Sequence, residues 1–175
     1  MYYYKYPIKG EEGQFVHIAT TRPETMFGDT AVAISKDNEK LKHLIGKECI
    51  IPIINKAIPI IADDHADPEK GTGAVKITPA HDFNDFEVGK RHNLPLINIL
   101  NPDATLNENT PFAGLDTQTA RKKTIETLDS LGLMDKIEDH PMVIPYGDRS
   151  GVVIEPLMTD QWFVDAPKLA VEAMR

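Results

Sequence analysis

Gly71-Thr72-Gly73-Ala74-Val75-Lys76-Ile77-Thr78-Pro79-Ala80-His81-Asp82-Phe83-Asn84-Asp85-Phe86-Glu87-Val88-Gly89 contains a tight turn, a strand and a helix start in unbroken succession. The glycines supply the turn. Ala74 to Thr78 mixes small and β-branched residues in a strand pattern that Pro79 closes. Asp82 is a strong helix N-cap, and Asp85 sits one turn in, where a carboxylate suits the helix dipole. The spacing predicts a helix over about 82–93, although Phe83, Phe86 and Val88 make an imperfect apolar stripe. A strand that delivers directly into a helix points to a mixed α/β fold.

Upstream, Phe15 to Thr20 and Thr30 to Ile34 are rich in β-branched and small apolar residues, bounded by Gly13 and by Gly28-Asp29, and predict two strands. Asp37 to Leu44, with Gly46 just past its end, predicts a short capped helix. Glu48 to Ile54 and Ala57 to Ile61 predict strands about an Asn55-Lys56 turn, with Pro52 and Pro59 marking edges or bulges. Downstream, Leu96 to Leu100 predicts a strand. Asp116 to Leu131 predicts the strongest helix, with Ala120, Ile125, Leu128 and Leu131 near helical spacing and Gly132 as its stop. Met142 to Ile144 and Val152 to Ile154 are β-like, and Ala166 to Arg175 begins a helix that is cut short, as expected of a piece of a longer chain. Short strands punctuated by Pro and Gly seldom build a flat open sheet, so a small closed or nearly closed one is expected.

The chain has 175 residues, 41% of them hydrophobic, enough for one well-buried domain. Its 19 Lys and Arg against 27 Asp and Glu give a net charge of −8, with no long block of like charge, which argues against a basic nucleic-acid clamp. A nucleic acid whose tip alone enters a pocket remains compatible. Cys49, the single cysteine, allows neither an internal disulfide nor a thiolate-rich zinc cage, and a reducing, cytoplasmic setting is the expectation. The N-terminus has no apolar core of signal-peptide length. The apolar stretch from Ile50 to Ile61 is broken by Pro52, Asn55, Lys56 and Pro59, so no membrane contact is expected.

Two clusters carry candidate chemistry. Thr20-Thr21-Arg22-Pro23-Glu24-Thr25 follows a strand. Thr21 and Glu24 have capping-box spacing, so a one-turn helix start would explain them, but the density of hydroxyls and a guanidinium at a strand end goes beyond that. Lys76 and Thr78 point to one face of their strand, and Asp82 and Asp85 lie at the start of the next helix. With His81 they can converge on one pocket, two carboxylates holding a substrate ammonium while Lys76 and threonine hydroxyls serve oxygens. Ordinary capping and a solvated face are the plainer alternative.

Gly71 to Lys76 lacks the spacing of a phosphate loop and precedes a strand. Asp63, Asp64, His65, His81 and Asp82 resemble a metal-ligand set, which would make the protein a metal-dependent phosphohydrolase. No nucleophile motif is present, so a hydrolysis here would use water.

Three runs resemble the editing domain of bacterial valyl-tRNA synthetases: Thr20 to Ala33, Gly71 to Gly89, and Gly151-Val152-Val153-Ile154-Glu155-Pro156 with Asp160-Gln161-Trp162-Phe163. The resemblance implies a connective-peptide domain inserted in a class I synthetase, with a β-barrel-like core of short strands and flanking helices. It implies residues 1–150 as the editing domain and 151–175 as a segment returning toward an absent catalytic core. The implied activity is hydrolysis of the ester joining threonine to the terminal adenosine of valine tRNA. Editing takes no cofactor and no metal; ATP and Mg serve the core. The implied partners are the aminoacylated 3′ end of valine tRNA and the rest of the synthetase chain. Catalytic roles are implied for Asp85, as anchor of the α-ammonium, and for Lys76, Arg22 and Thr78. Substrate-binding roles are implied for Asp82, His81, Thr20, Thr21, Thr25 and Asp29. A module that grips the tRNA acceptor end without chemistry is the remaining alternative.

Overall fold

Tyr4 and Tyr6 turn inward from strand β1 (Tyr2–Pro7) and are fully buried, their rings 5.6 Å apart, in a computed structural model that describes residues 1–173. β1 pairs antiparallel with β2 (Phe15–Thr20), which contributes Val16 and Ile18 to the same interior. A 3-10 turn (Pro23–Gly28) leads to β3 (Ala31–Ile34), whose four residues are all buried. Alternation splits them between two cores. Val32 and Ile34 join the main cluster with Tyr4, Tyr6, Ile18 and Ile60, while Ala31 and Ala33 face a smaller one with Ile77 and Val88. β4 (Glu48–Ile51), β5 (Lys56–Ala62) and β6 (Ala74–Ile77) complete a sheet of order β4-β5-β3-β6, in which only β3 and β5 run parallel.

Helix α1 (Phe83–His92) covers the smaller cluster. It lies so close to the end of β6 that a Cβ at Gly89 would come within 2.9 Å of Pro79. Helix α2 (Thr117–Ser130) packs on the 3-10 turn and puts Ala120 and Leu128 in the main core. Strand β7 (Met134–Ile137) follows and pairs with the outer edge of β1, with a register shift between Tyr3 and Tyr4. Helix α3 (Ala166–Ala173) stands near the end; the expected continuation through Met174 and Arg175 lies outside the described residues.

The expected mixed α/β architecture is present. Its β-core is barrel-like without a closed ladder. The three-stranded sheet β2-β1-β7 meets the four-stranded one through an Ile8–Cys49 bridge and a Lys9 N–H donated to Glu48 O at 2.9 Å, and β2 lies beside β6 on the other side.

Several elements depart from expectation. The helix expected over Asp37 to Leu44 is a series of turns ending in a 3-10 turn (Lys42–Leu44); the Asn38 carboxamide accepts the N–H groups of Lys40 and Leu41 and competes with a helical ladder. β4 stops at Ile51 because Ile53 and Asn55 take left-handed φ values of 70° and 51°, which turn the chain before Lys56. Leu96 to Leu100 forms no strand, only a Leu100–Leu106 bridge with an Asn107 N–H donated to Ile99 O, since most of its other backbone bonds go to the side chains of His81, Asn98, Asn107 and Asn109. Met142 to Ile144 and Val152 to Ile154 are mostly exposed and share only a Tyr146–Val153 bridge. Phe83, expected on the apolar stripe of α1, is 77% exposed; Asp85, Val88 and Gly89 are the buried residues of that helix. β1 and β7 have no counterpart among the expected elements.

Candidate active site

β6 delivers Lys76 and Thr78 to the end of the second sheet, where the 3-10 turn after β2 passes over them. The Lys76 ammonium is 2.8 Å from Asp29 Oδ1, 2.8 Å from Thr25 Oγ1 and 2.5 Å from Thr78 Oγ1, which takes up all three of its N–H donors. Asp29 is sealed from solvent and also accepts the hydroxyls of Thr78 at 2.7 Å and Tyr6 at 2.7 Å. Burial pushes the Asp29 carboxyl up, while the Lys76 charge and these donors work against that push. The result is a rigid polar floor whose hydrogen bonds are satisfied internally.

The wall is the N-terminus of α1. Asp82 caps it, its Oδ1 accepting the N–H groups of Asn84 at 2.8 Å and Asp85 at 3.1 Å. Asp85 turns inward and its Oδ2 accepts the Thr78 N–H at 2.9 Å; its Oδ1 lies 3.4 Å from His65 Nε2. Burial pushes the Asp85 carboxyl up to about 6, against the pull of the Thr78 N–H, Lys76 and His65. His81 is buried with both ring nitrogens engaged: Nδ1 lies 2.9 Å from Pro156 O, and Nε2 accepts the Ile99 N–H at 2.9 Å. Burial lowers its pKa to about 4, so the ring is neutral at pH 7, with its proton on Nδ1 as these partners require.

Arg22 closes the third side. Its Nη1 donates to His81 O at 3.3 Å and its Nη2 to Glu155 Oε2, while Nε faces Glu24 Oε1 at 3.8 Å. Glu24 is fully buried and receives a two-pronged bond from Arg121 of α2, with Nε and Nη2 each 2.8 Å from a carboxylate oxygen. The capping box expected from Thr21 and Glu24 therefore does not form; Glu24 turns away from the backbone toward Arg121.

Between these walls lies an open cleft of about 230 Å³. Thr20, Thr21, Arg22, Thr25, Lys76, Thr78, His81, Asp82 and Asp85 all line it, together with His65 and Asn84. Asp29 does not; it sits behind Lys76 and Thr78 and holds them. The candidate metal set disperses. The Asp63 carboxylate is bonded by Arg91 at 2.8 and 3.2 Å and by His92 at 2.8 Å. Its partial burial acts upward, but the bonds from Arg91, the His65 N–H and His92 bring its pKa down to about 2. Among the described residues no group of three His, Cys, Asp or Glu side chains is arranged to hold a metal ion. Nothing local marks Arg121 or gives Glu155, quoted above only within a matching run, a role, because the partner of each lies about a hundred positions away. The sequence marks His65 only as a metal-ligand candidate.

Residues 37–140, more than half of the chain, match the family described as "Leucyl-tRNA synthetase, editing domain", and the chain belongs to that family. Its relatives include the valine–tRNA ligases of Francisella tularensis, 52% identical over 99% of this chain and 19% of the relative, and of Nitrobacter winogradskyi, 49% identical over 99% and 21%. That of Mesorhizobium japonicum is 47% identical over 99% and 22%. The chain spans about a fifth of the length of the curated valine–tRNA ligases it matches. The fold is also that of the LeuRS of Agrobacterium radiobacter, solved as a ternary complex with tRNA and LeuAMS, with a TM-score of 0.58 and 18% identity over 74% of this chain and 19% of that one. No described helix is long and apolar enough to cross a membrane.

Proposed function

We propose that the cleft hydrolyses the ester linking threonine to the terminal adenosine of valine tRNA, within a cytoplasmic synthetase whose remaining chain holds the tRNA body. The observation that carries this is Asp85: a buried carboxylate fixed by the Thr78 N–H, with its second oxygen 3.4 Å from His65 Nε2, in a cleft that Thr20, Thr21 and Arg22 also line. An α-ammonium would dock on Asp85, with Asp82 as an outlying negative charge. Arg22 and the Thr20 and Thr21 hydroxyls would face oxygens of the ester and ribose. Lys76, Thr25 and Asp29 would act from below by holding Thr78 and the 3-10 turn in place.

The cleft is smaller than the roughly 300–1,000 Å³ usual for whole-ligand pockets, which suits the tip of a larger molecule. A hydrophobic synthetic pocket rejects an isostere that merely gains a hydroxyl by only about a hundredfold, a ratio for which valyl-tRNA synthetases facing threonine are the standard illustration. A polar second site reverses the preference, because valine would leave its hydrogen-bonding groups unpaired. Residues 151–175 lead back toward the synthetic core, where ATP and Mg belong.

The test uses the full-length synthetase that carries this chain. Mischarged threonyl-tRNA should release free threonine, and Asp85→Ala should let threonyl-tRNA accumulate. Binding of that tRNA without release of threonine would instead make the domain a gripping module.

A further inference from the structure

Arg22 lies in the cleft wall, but the carboxylate that fixes its outer end comes from 133 residues further along the chain. A guanidinium carries five N–H donors in one plane. Bonds from Nη1 to His81 O and from Nη2 to Glu155 set the orientation of that plane at both of its ends. Glu24 does not make the second bond. It stands 3.8 Å from Arg22 Nε, and both of its oxygens are already held by Arg121.

Glu155 is itself held, its Oε1 accepting the Thr117 hydroxyl at 3.1 Å at the start of α2. The residues that follow grip the opposite wall. Pro156 O meets His81 Nδ1, and the Met158 N–H donates to Ala80 O at 3.1 Å, fixing the turn that leads into Asp82 and Asp85. Leu157 packs against the main core.

We propose that Glu155 is a positioning residue of the cleft: it aims the Arg22 guanidinium at substrate oxygen, so the hydrolytic unit extends past residue 150 to at least Met158. This rests on the hydrolytic reading above. A strap that only closed the fold would need no carboxylate aimed at a cleft residue, and its loss would add to the loss of Arg22.

A double-mutant cycle in the full-length synthetase separates the two. Under single-turnover conditions with threonyl-tRNA, Glu155→Ala is expected to slow hydrolysis about tenfold or more, the scale of one charge-assisted bond. Arg22→Ala should cost at least as much, and the double variant no more than Arg22→Ala alone. Glu155→Gln, which preserves volume and an acceptor for Thr117, should fall between wild type and Glu155→Ala. Thermal melting checks that each variant is folded. Additive losses would overturn the proposal. If the wild type releases no threonine, the hydrolytic reading fails, and a crystal structure of Glu155→Ala still decides the positioning role. Arg22 should leave the His81 carbonyl, and a guanidinium found in its original place would reject the inference.

Discussion

Lys76 Nζ and Asp29 Oδ1 lie 2.8 Å apart beneath the cleft, although 47 positions separate them in sequence. Both charges have left water, and the pair persists because hydroxyls of Thr25, Thr78 and Tyr6 complete its hydrogen bonds. Removing one partner strands the other. Asp29→Ala should cost about 3–5 kcal/mol in urea unfolding, the range for an uncompensated buried charge. Asp29→Asn, which keeps the shape and one acceptor, should cost less. A loss below about 1 kcal/mol for Asp29→Ala would mean that Lys76 finds water instead.

Asp85 must be ionised to hold an ammonium, and burial places its pKa at about 6. Protonation below that value removes the anchor, so kcat/KM for threonyl-tRNA hydrolysis should fall as pH drops through about 6, since this parameter follows the free enzyme. Asp85→Asn should lower hydrolysis about ten- to a hundredfold at neutral pH and flatten that acidic limb. A wild-type profile flat from pH 5 to 7 would remove Asp85 from the ammonium site.

His81 and Asp85 act oppositely on stability. The folded pKa of His81, about 4, lies below its unfolded value of about 6.5, so the unfolded chain takes up the proton first and stability falls as pH drops between them. The folded pKa of Asp85, about 6, lies above its unfolded value of about 3.9, so its burial penalty at neutral pH is relieved over nearly the same interval. The two effects largely cancel in the wild type. In Asp85→Asn only the His81 effect remains, and the melting temperature should drop steeply from pH 6.5 to 4.5. Equal pH slopes in wild type and variant would count against this opposition.

The parts legible in the sequence are those whose cause is local. Asp82 and Asp116 announce their helices because an N-cap acts on N–H groups two and three residues away, and both make those bonds. Strand periodicity alone puts Lys76 and Thr78 on one face, and they touch. Periodicity could not show that the Lys76 donors are consumed by Asp29, Thr25 and Thr78, which turns an expected ligand for substrate oxygen into part of the floor. Nor could it reveal Arg121 gripping Glu24, or His81 tying Ile99 to Pro156, since those pairings depend on how distant segments pack. Tyr2 to Tyr6 has strong β propensity, yet only its partners in β2 and β7 make it a central strand.

Gly28 ends the 3-10 turn at the point where that turn crosses the cleft floor. A Cβ there would lie 3.1 Å from Ile97 O, 3.2 Å from Thr78 Cγ2 and 3.3 Å from Ile99 Cγ2. The segment carrying Ile97 and Ile99 has little freedom to retreat, because the Ile99 N–H is held by His81 and its carbonyl by the Asn107 N–H. Thr78 is the softer neighbour, and turning its side chain would break the hydroxyl bonds to Lys76 and Asp29. Gly28→Ala should therefore cost about 1–3 kcal/mol, the usual penalty for overpacking. It should also slow threonyl-tRNA hydrolysis by more than the fraction unfolded explains, because the shifted residue supplies the N–H that fixes Asp85. Urea unfolding and single-turnover deacylation on the same preparation measure both. A variant that loses stability but keeps the wild-type rate would place the adjustment in the Ile97–Ile99 segment and leave Thr78 where it stands.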